Sequence, residues 1–311
     1  MDYFFTILPK MGSFFLLMCI GILIAKIGVI TKENITLFPP FIIKVVMPCL
    51  TFSLMIENGT TFAALADYGP VVAGQVLSYL FLMVLGWLSA KAFRMRYPLA
   101  NMHRGCHVGG NYGFIGIPLL MVLFASGEGQ QYIPVCAAVD TIFIWTIGIL
   151  FFTYSKEGGM ASGLRNLFNP VIISILLGLI VASLHIELPS FIGDTVSSVG
   201  DCSTPLALIY LGASLCFINL KSAAMLKEIF ALVVVRMVLA PVAVYAVASH
   251  FLTGTETVLL TVICATPVMA SMVSVAHQYR LDEEYASAAI FVTTVASLVT
   301  IPLVFFLTSF L

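Results

Sequence analysis

The sequence predicts an all-α membrane protein with ten transmembrane helices in two inverted five-helix repeats. Three observations predict it. The first is composition: of 311 residues, 60% are hydrophobic and only 9% are charged, and mean hydropathy is +1.08. Soluble domains are about 45–50% apolar and about 25% charged, so an aqueous globular protein is excluded. Disorder fails by the same margin. The second is the length of the uncharged stretches. Arg104 to Glu128, Glu256 to Arg280 and Glu284 to Leu311 enclose no Asp, Glu, Lys or Arg. A spanning helix needs roughly 20 apolar residues, whereas a barrel strand needs about 9–11 that alternate with polar ones. The third is a set of helix-breaking landmarks at matched positions in the two halves, developed below. Net charge is −1 with no basic run, so nucleic-acid binding has no electrostatic footprint.

The ten helices are expected at approximately 7–27, 35–56, 68–91, 100–125, 130–154, 168–187, 195–218, 227–251, 257–279 and 285–309. The first is expected to stay as an anchor, not a cleaved signal peptide, because its first charge is Asp2 and the apolar run continues to Ile30. Turn chemistry separates several of the others: Glu57-Asn58-Gly59-Thr60, Ser126-Gly127-Glu128-Gly129, Glu157-Gly158-Gly159 and Thr253-Gly254-Thr255. The chain then divides into a first repeat at 1–156, a short cytoplasmic connection at 157–167 and a second, inverted repeat at 168–311. The seven cysteines (Cys19, Cys49, Cys106, Cys136, Cys202, Cys216, Cys264) sit in apolar segments without a CxxC, and read as reduced fillers.

Orientation follows from Lys and Arg. The odd-numbered connections carry Lys26, Lys32, Lys91, Arg94, Arg96, Lys156, Arg165, Lys221, Lys227 and Arg280. The amino terminus and the even-numbered connections carry only Lys10, beside the acids Glu57, Asp67, Glu128, Glu187, Asp194 and Glu256. This asymmetry places the odd connections in the cytoplasm and both termini outside a cell (inner or plasma) membrane.

Five helices per half reverse the direction of the second half, as an inverted repeat requires. Met47-Pro48-Cys49-Leu50 in helix 2 answers Thr204-Pro205-Leu206-Ala207 in helix 7. Sixty-two residues after Pro48 lies Gly110, inside Gly109-Gly110-Asn111-Tyr112-Gly113; sixty-two after Pro205 lies Pro267. Each falls in the middle of the fourth helix of its half. Breaks there imply unwound backbone at the bilayer midplane, which is tolerated where it lines a protein cavity. Gly109 and Gly113 also fit a small-xxx-small packing notch.

Asn111-Tyr112-Gly113-Phe114-Ile115-Gly116-Ile117-Pro118-Leu119 resembles the Asn-x-Gly-Phe-x-Gly-x-Pro-Leu signature of the auxin efflux carrier family. Asn169-Pro170, Pro205-Leu206-Ala207 followed by Leu211-Gly212-Ala213-Ser214-Leu215, and Ser297 with Thr300 and Pro302 are similar to that family as well. The resemblance implies a ten-helix inverted-repeat carrier whose broken helices 4 and 9 cross near the substrate, and a homodimer. The short connection at about 155–167 is like that of prokaryotic members thought to move malonate, malate or related organic acids. Where many relatives place Asn or Gln in the second crossover, this chain has Val268 and Ser271.

Ionisable residues inside apolar helices are functional candidates because a charge at a helix centre costs roughly 2.5–3.5 kcal/mol on insertion scales. Here they are Lys44, Asp140, Asp201 and Arg236. Asp140 lies about 15 Å below the outer surface at 1.5 Å per residue. Asp140 and Asp201 are the candidate coupling groups, although Asp140 with Arg236 also reads as a structural ion pair. Lys44 suits a substrate carboxylate, or Asp201 neutralises it. Asn111 and Gly110, on backbone freed from helical bonding, are the central substrate-binding candidates; Asn111 also reads as a plain helix cap. Tyr112, Thr51, Thr141, Thr266, Pro267 and Ser271 complete that set, though each hydroxyl singly also reads as a helix-to-helix hydrogen bond of about 0.6 kcal/mol. Pro48, Pro118 and Pro205 are expected to interrupt helices.

These residues lead to a secondary transporter of a small organic anion, a dicarboxylate or an auxin-like carboxylate, coupled to protons or sodium, with no cofactor. One alternative makes Asp140 the ion-exchange group of a cation/proton antiporter of the same fold. An intramembrane enzyme is a further class, disfavoured because no nucleophile–base pair falls at helical spacing. Neither GxxxxGK[ST] nor GxSxG nor HExxH occurs. His103-x-x-Cys106-His107 offers too few ligands for a metal site, and His185, His250 and His277 read as interfacial.

Overall fold

The computed structural model describes residues 2–125, 127–153, 170–217 and 225–311. Ser126, the connection at 157–167 with Arg165, and Lys156, Asn169 and Lys221 lie outside them. In chain order the helices are α1 (Asp2–Lys26), α2 (Ile35–Glu57), α3 (Gly69–Ala92), α4 (Leu99–Val108), α5 (Tyr112–Leu123), α6 (Tyr132–Phe151), α7 (Pro170–Ser183), α8 (Ser190–Asp201), α9 (Ser203–Leu215), α10 (Leu226–Ala248), α11 (Gly254–Ala265), α12 (Met272–Gln278) and α13 (Glu283–Thr308). No strand occurs among the described residues. Among the described residues six helices are long and apolar enough to cross a membrane: α1, α2, α3, α6, α10 and α13. The expected crossings 4, 7 and 9 each consist of two shorter pieces, and α7 is the described part of the sixth. Large side chains such as Leu16, Leu77, Phe230 and Val299 are exposed on the outside of the bundle. So apolar a surface suits hydrocarbon, not water.

Helix ends follow local chemistry. Thr253 and Glu256 form a reciprocal capping box at the start of α11. Asp282 accepts from the Tyr285 N–H at 2.8 Å to open α13. After α2, Gly59 turns the chain at φ +58°, and the Thr60 N–H closes onto the Met55 carbonyl at 2.9 Å. The expected seventh crossing starts with α8 at Ser190, earlier than the expected 195, because Pro189 supplies an extended entry.

The prolines act in two ways. In α2, α5 and α10 the hydrogen-bond ladder widens to i→i+5 over Ile42–Val46, Tyr112–Gly116 and Val235–Leu239, just ahead of Pro48, Pro118 and Pro241. The wide bonds run from the residue just before each proline, Met47, Ile117 or Ala240, to the carbonyl five back, Ile42, Tyr112 or Val235, and so loosen the turn that the proline ring enters. Pro48 and Pro118 therefore leave their helices continuous. Pro205 instead lies in the first turn of α9, where a missing N–H costs little. It cannot donate to the Asp201 carbonyl, and α8 ends at that residue.

Packing is closest between α1 and α9. A β-carbon on Gly21 would overlap the Ile209 carbonyl, and one on Gly212 would overlap the Met18 carbonyl. Such backbone approach is how helices associate where no hydrophobic effect drives them together. The carboxyl half of α2 packs on α7 over Gly178, beside a buried Thr51–Ser174 hydroxyl pair at 2.7 Å.

Candidate functional site

The two interruptions meet. Between α4 and α5, residues 109–111 leave the helical ladder; between α11 and α12, so do residues 266–271. The Asn111 N–H donates to the Pro267 carbonyl at 2.7 Å, and the Met269 N–H donates to the Gly109 carbonyl at 3.0 Å. Gly110 and Val268 thus face each other as a single antiparallel bridge. The Val268 N–H is satisfied by Thr293 Oγ1 of α13 at 3.1 Å. Two broken helices satisfy each other's freed backbone, as buried polar groups must.

Arg236, fully buried on the wide turn of α10, fastens this crossing. Its Nε donates to the His107 carbonyl at 2.8 Å, and its Nη1 donates to the Thr266 carbonyl. The expected Asp140–Arg236 ion pair is not formed. Among the described residues the salt bridge present is His277–Glu283 at 2.9 Å. Asp140 Oδ1 instead accepts from the Tyr79 hydroxyl at 2.5 Å. Gln75 Nε2 donates to that same hydroxyl at 3.2 Å and to the Cys136 carbonyl at 3.0 Å.

Beside the crossing lies a cavity of about 470 Å³. Its wall takes Gly110 and Asn111 from the first interruption with Tyr112 of α5, and Met269 and Ser271 from the second with Ser274 of α12. Lys44 of α2, Asp140 and Thr141 of α6, and Tyr210 of α9 close it. The volume is in the range of small-ligand sites, which combine apolar walls with few polar groups.

Asn111 is 4% exposed, and its two ends differ. Oδ1 accepts from the Phe114 N–H at 3.2 Å and so caps α5, whereas Nδ2 has no partner. Both sequence readings of this residue therefore have an atom to act through. Tyr112 and Thr141 line the cavity with their hydroxyls committed to the Ile133 carbonyl (2.9 Å) and the Ala137 carbonyl (2.8 Å). Lys44 is exposed at the cavity wall.

Other predicted residues lie elsewhere. Thr51 is turned to Ser174, away from the cavity. Thr266 and Pro267 belong to the crossing but not to the cavity wall: Thr266 Oγ1 donates to the Ile263 carbonyl at 2.7 Å. Asp201 is exposed and outside the cavity. His103 is held between Ser89 Oγ (2.8 Å) and the Tyr285 hydroxyl (2.6 Å). Among the described residues no three His, Cys, Asp or Glu converge as metal ligands.

Sequence reasoning missed Phe114, Trp145 and Tyr210, which supply aromatic wall, and the Gln75–Tyr79 pair behind Asp140. Gln75 and Tyr79 are one turn apart on a mostly apolar helix, and that spacing was a readable signal.

Known proteins resemble the chain along its whole length. An uncharacterized transporter from Methanothermobacter thermautotrophicus is 25% identical over 301 residues, covering 94% of this chain and 95% of the relative. A protein of Rhizobium meliloti named "Putative malonate transporter" is 26% identical over 308 residues, covering 95% and 92%. An uncharacterized transporter from Methanocaldococcus jannaschii is 24% identical over 301 residues, covering 93% and 94%. The family model described as "Membrane transport protein" matches residues 6–305, and the chain belongs to that family, the auxin efflux carrier family that its helix-breaking motif resembles.

Proposed function

We propose that this protein is a secondary active transporter of a small organic anion, working by alternating access around the crossing. The observation that carries this reading is the cavity itself. It lies where two interrupted helices meet, and its wall holds an unpartnered amide donor of Asn111 and the cation Lys44 beside one carboxylate, Asp140. Unwound backbone at a helix crossing is where secondary transporters bind their cargo. The amino-terminal end of α5 adds partial positive charge on the same side.

In this reading α4 with α5 is the fourth crossing and α11 with α12 the ninth. Residues 1–156 and 168–311 are the two inverted repeats, with both termini outside the cell membrane. Substrate sits against Gly110, Asn111, Tyr112, Lys44, Thr141 and Ser271, while Thr266 and Pro267 hold the crossing behind it. Asp140 carries the coupling proton and exchanges it as substrate comes and goes. The relative named for malonate makes a short dicarboxylate the first substrate to try. A homodimer is the assembly the family resemblance suggests.

The test is uptake of labelled malonate, malate, lactate and indole-3-acetate into proteoliposomes under imposed pH, sodium or voltage gradients. Accumulation of one of these acids driven by a pH gradient supports the proposal. Proton-for-cation exchange with no acid moved supports the antiporter instead.

A further inference from the structure

The two oxygens of Asp140 meet different surroundings. Oδ1 accepts from the Tyr79 hydroxyl at 2.5 Å, a length typical of a hydroxyl donating to an ionised carboxylate. Tyr79 and Gln75 are fully buried on α3 and take no part in the cavity wall, whereas Asp140 is partly buried and does. Oδ2 has no hydrogen-bond partner among the described residues. Unlike Gln75 Oε1, it is not sealed from solvent, and the space it opens on is the cavity.

Behind Oδ1 the direction of each hydrogen bond is fixed in turn. Gln75 Nε2 lies 3.0 Å from the Cys136 carbonyl, which can only accept, so the amide presents its NH2 end there. The same NH2 group donates to the Tyr79 oxygen at 3.2 Å. The single proton of the Tyr79 hydroxyl is left to donate, and Asp140 Oδ1 is its acceptor. Gln75 Oε1 is buried and has no partner, Tyr79 included. A Tyr79 proton turned away from Oδ1 would therefore go unmatched in a dry pocket, which is costly. Gln75 with Cys136 and Tyr79 with Asp140 share an offset of 61 residues, one turn apart on each helix, so α3 and α6 lie side by side in the same direction. The Tyr79 ring is braced by Phe143, with 4.9 Å between ring centroids.

We infer that Gln75 and Tyr79 are positioning residues that keep Asp140 Oδ1 an acceptor, so that the coupling proton binds Oδ2, the oxygen open to the cavity. This assignment rests on the proton-coupled reading of Asp140 and names the atom that carries the proton. Uptake forms one O–H bond, at Oδ2; the proton comes from hydronium in the cavity, which is left as water, and Tyr79 keeps its own. Release is the reverse. The proton is thus held in the space that also holds Asn111 and Lys44, and none passes into the protein behind. A carboxylate without such a partner takes the proton on either oxygen, including the one turned from the cavity.

The test is infrared difference spectroscopy of the purified full-length protein in lipid, recorded on acidification, with Asp140→Asn identifying the carbonyl band of protonated Asp140. With the proton on Oδ2, Oδ1 is the carbonyl oxygen, and the hydrogen bond from Tyr79 lowers its stretching frequency. In Tyr79→Phe the band should move to higher frequency. A band that stays at the parental position would place the proton on the other oxygen and overturn the assignment. If Tyr79→Phe does not fold, Gln75→Met decides. Its thioether donates nothing and accepts weakly, so the Tyr79 proton has a second place to go and part of the band should move up. An unmoved band there would equally overturn the assignment. A parent without a band that Asp140→Asn removes would overturn the coupling role of Asp140 and this assignment with it. So would an Asp140→Asn protein that accumulates labelled malonate, malate or lactate like the parent under a pH gradient. Coupled uptake that Asp140→Asn abolishes, with variant bands unmoved, would overturn the assignment alone.

Discussion

Replacing Asn111 separates capping from ligand binding, because the two ends of its side chain act independently. Oδ1 caps the Phe114 N–H at 3.2 Å. An N-cap is worth about 0.5–2 kcal/mol, and this long bond belongs near the lower end, about 1 kcal/mol. Nδ2 has no protein partner, so a bond from it to an anion is all gain on binding, about 1.5–3 kcal/mol for a charged acceptor. That corresponds to roughly 10- to 150-fold in the dissociation constant. Asn111→Ser keeps an oxygen that can cap but has no amide to reach the ligand; Asn111→Ala keeps neither. Both should therefore lose anion affinity by at least about tenfold. Only the alanine variant should melt lower, by about 2–4 °C on the scaling for larger domains. Thermal unfolding and calorimetric titration on the same purified variants give the two numbers. An Asn111→Ser protein that binds anion like the parent would refute the donor role. A stable Asn111→Ala protein would refute the cap.

Asp140→Asn keeps size and a hydrogen-bonding oxygen while removing titration. It should still exchange internal for external substrate but lose accumulation driven by a pH gradient, measured as counterflow against net uptake. Cysteines placed near Glu57, Glu128, Glu187 and Glu256 should react with impermeant reagents from outside, and those near Arg94, Lys156 and Lys221 should not; the reverse pattern overturns the orientation. Gly212→Val forces α1 off α9 at the Met18 carbonyl, and should destabilise the fold by about 1–3 kcal/mol or more, read as a lower unfolding temperature with exposed-face substitutions as controls.

Much of this architecture was readable because a bilayer constrains sequence strongly. Long apolar runs announced helices, and the Gly109–Gly113 cluster and Pro267 announced interruptions, since few other residues free backbone so readily. Partners were less readable. Matching charges by sign joins Arg236 to Asp140, yet the guanidinium binds backbone carbonyls, and every residue carries a carbonyl. Asp140 takes a tyrosine hydroxyl instead, from a residue type that the hydrophobic share of the composition includes. Lys44 and Asp201 both precede a proline by four residues, but only Lys44 reaches the cavity. Pro48 lies within a continuous helix, whereas Pro205 starts a new one, so equal spacing does not give equal facing. Thr51 shows the same limit: period alone does not tell whether a buried hydroxyl meets a ligand or, as here, Ser174.

The central claim is that the cavity beside the crossing holds the transported anion. Ser271 lies on its wall, and a cysteine there in an otherwise cysteine-free protein reports on the space directly. The account predicts that a small thiol reagent labels Ser271→Cys and that a transported organic anion slows labelling in proportion to its occupancy, while its neutral amide does not. Labelling that proceeds at the same rate with the transported anion at saturation would place the anion elsewhere and contradict the account.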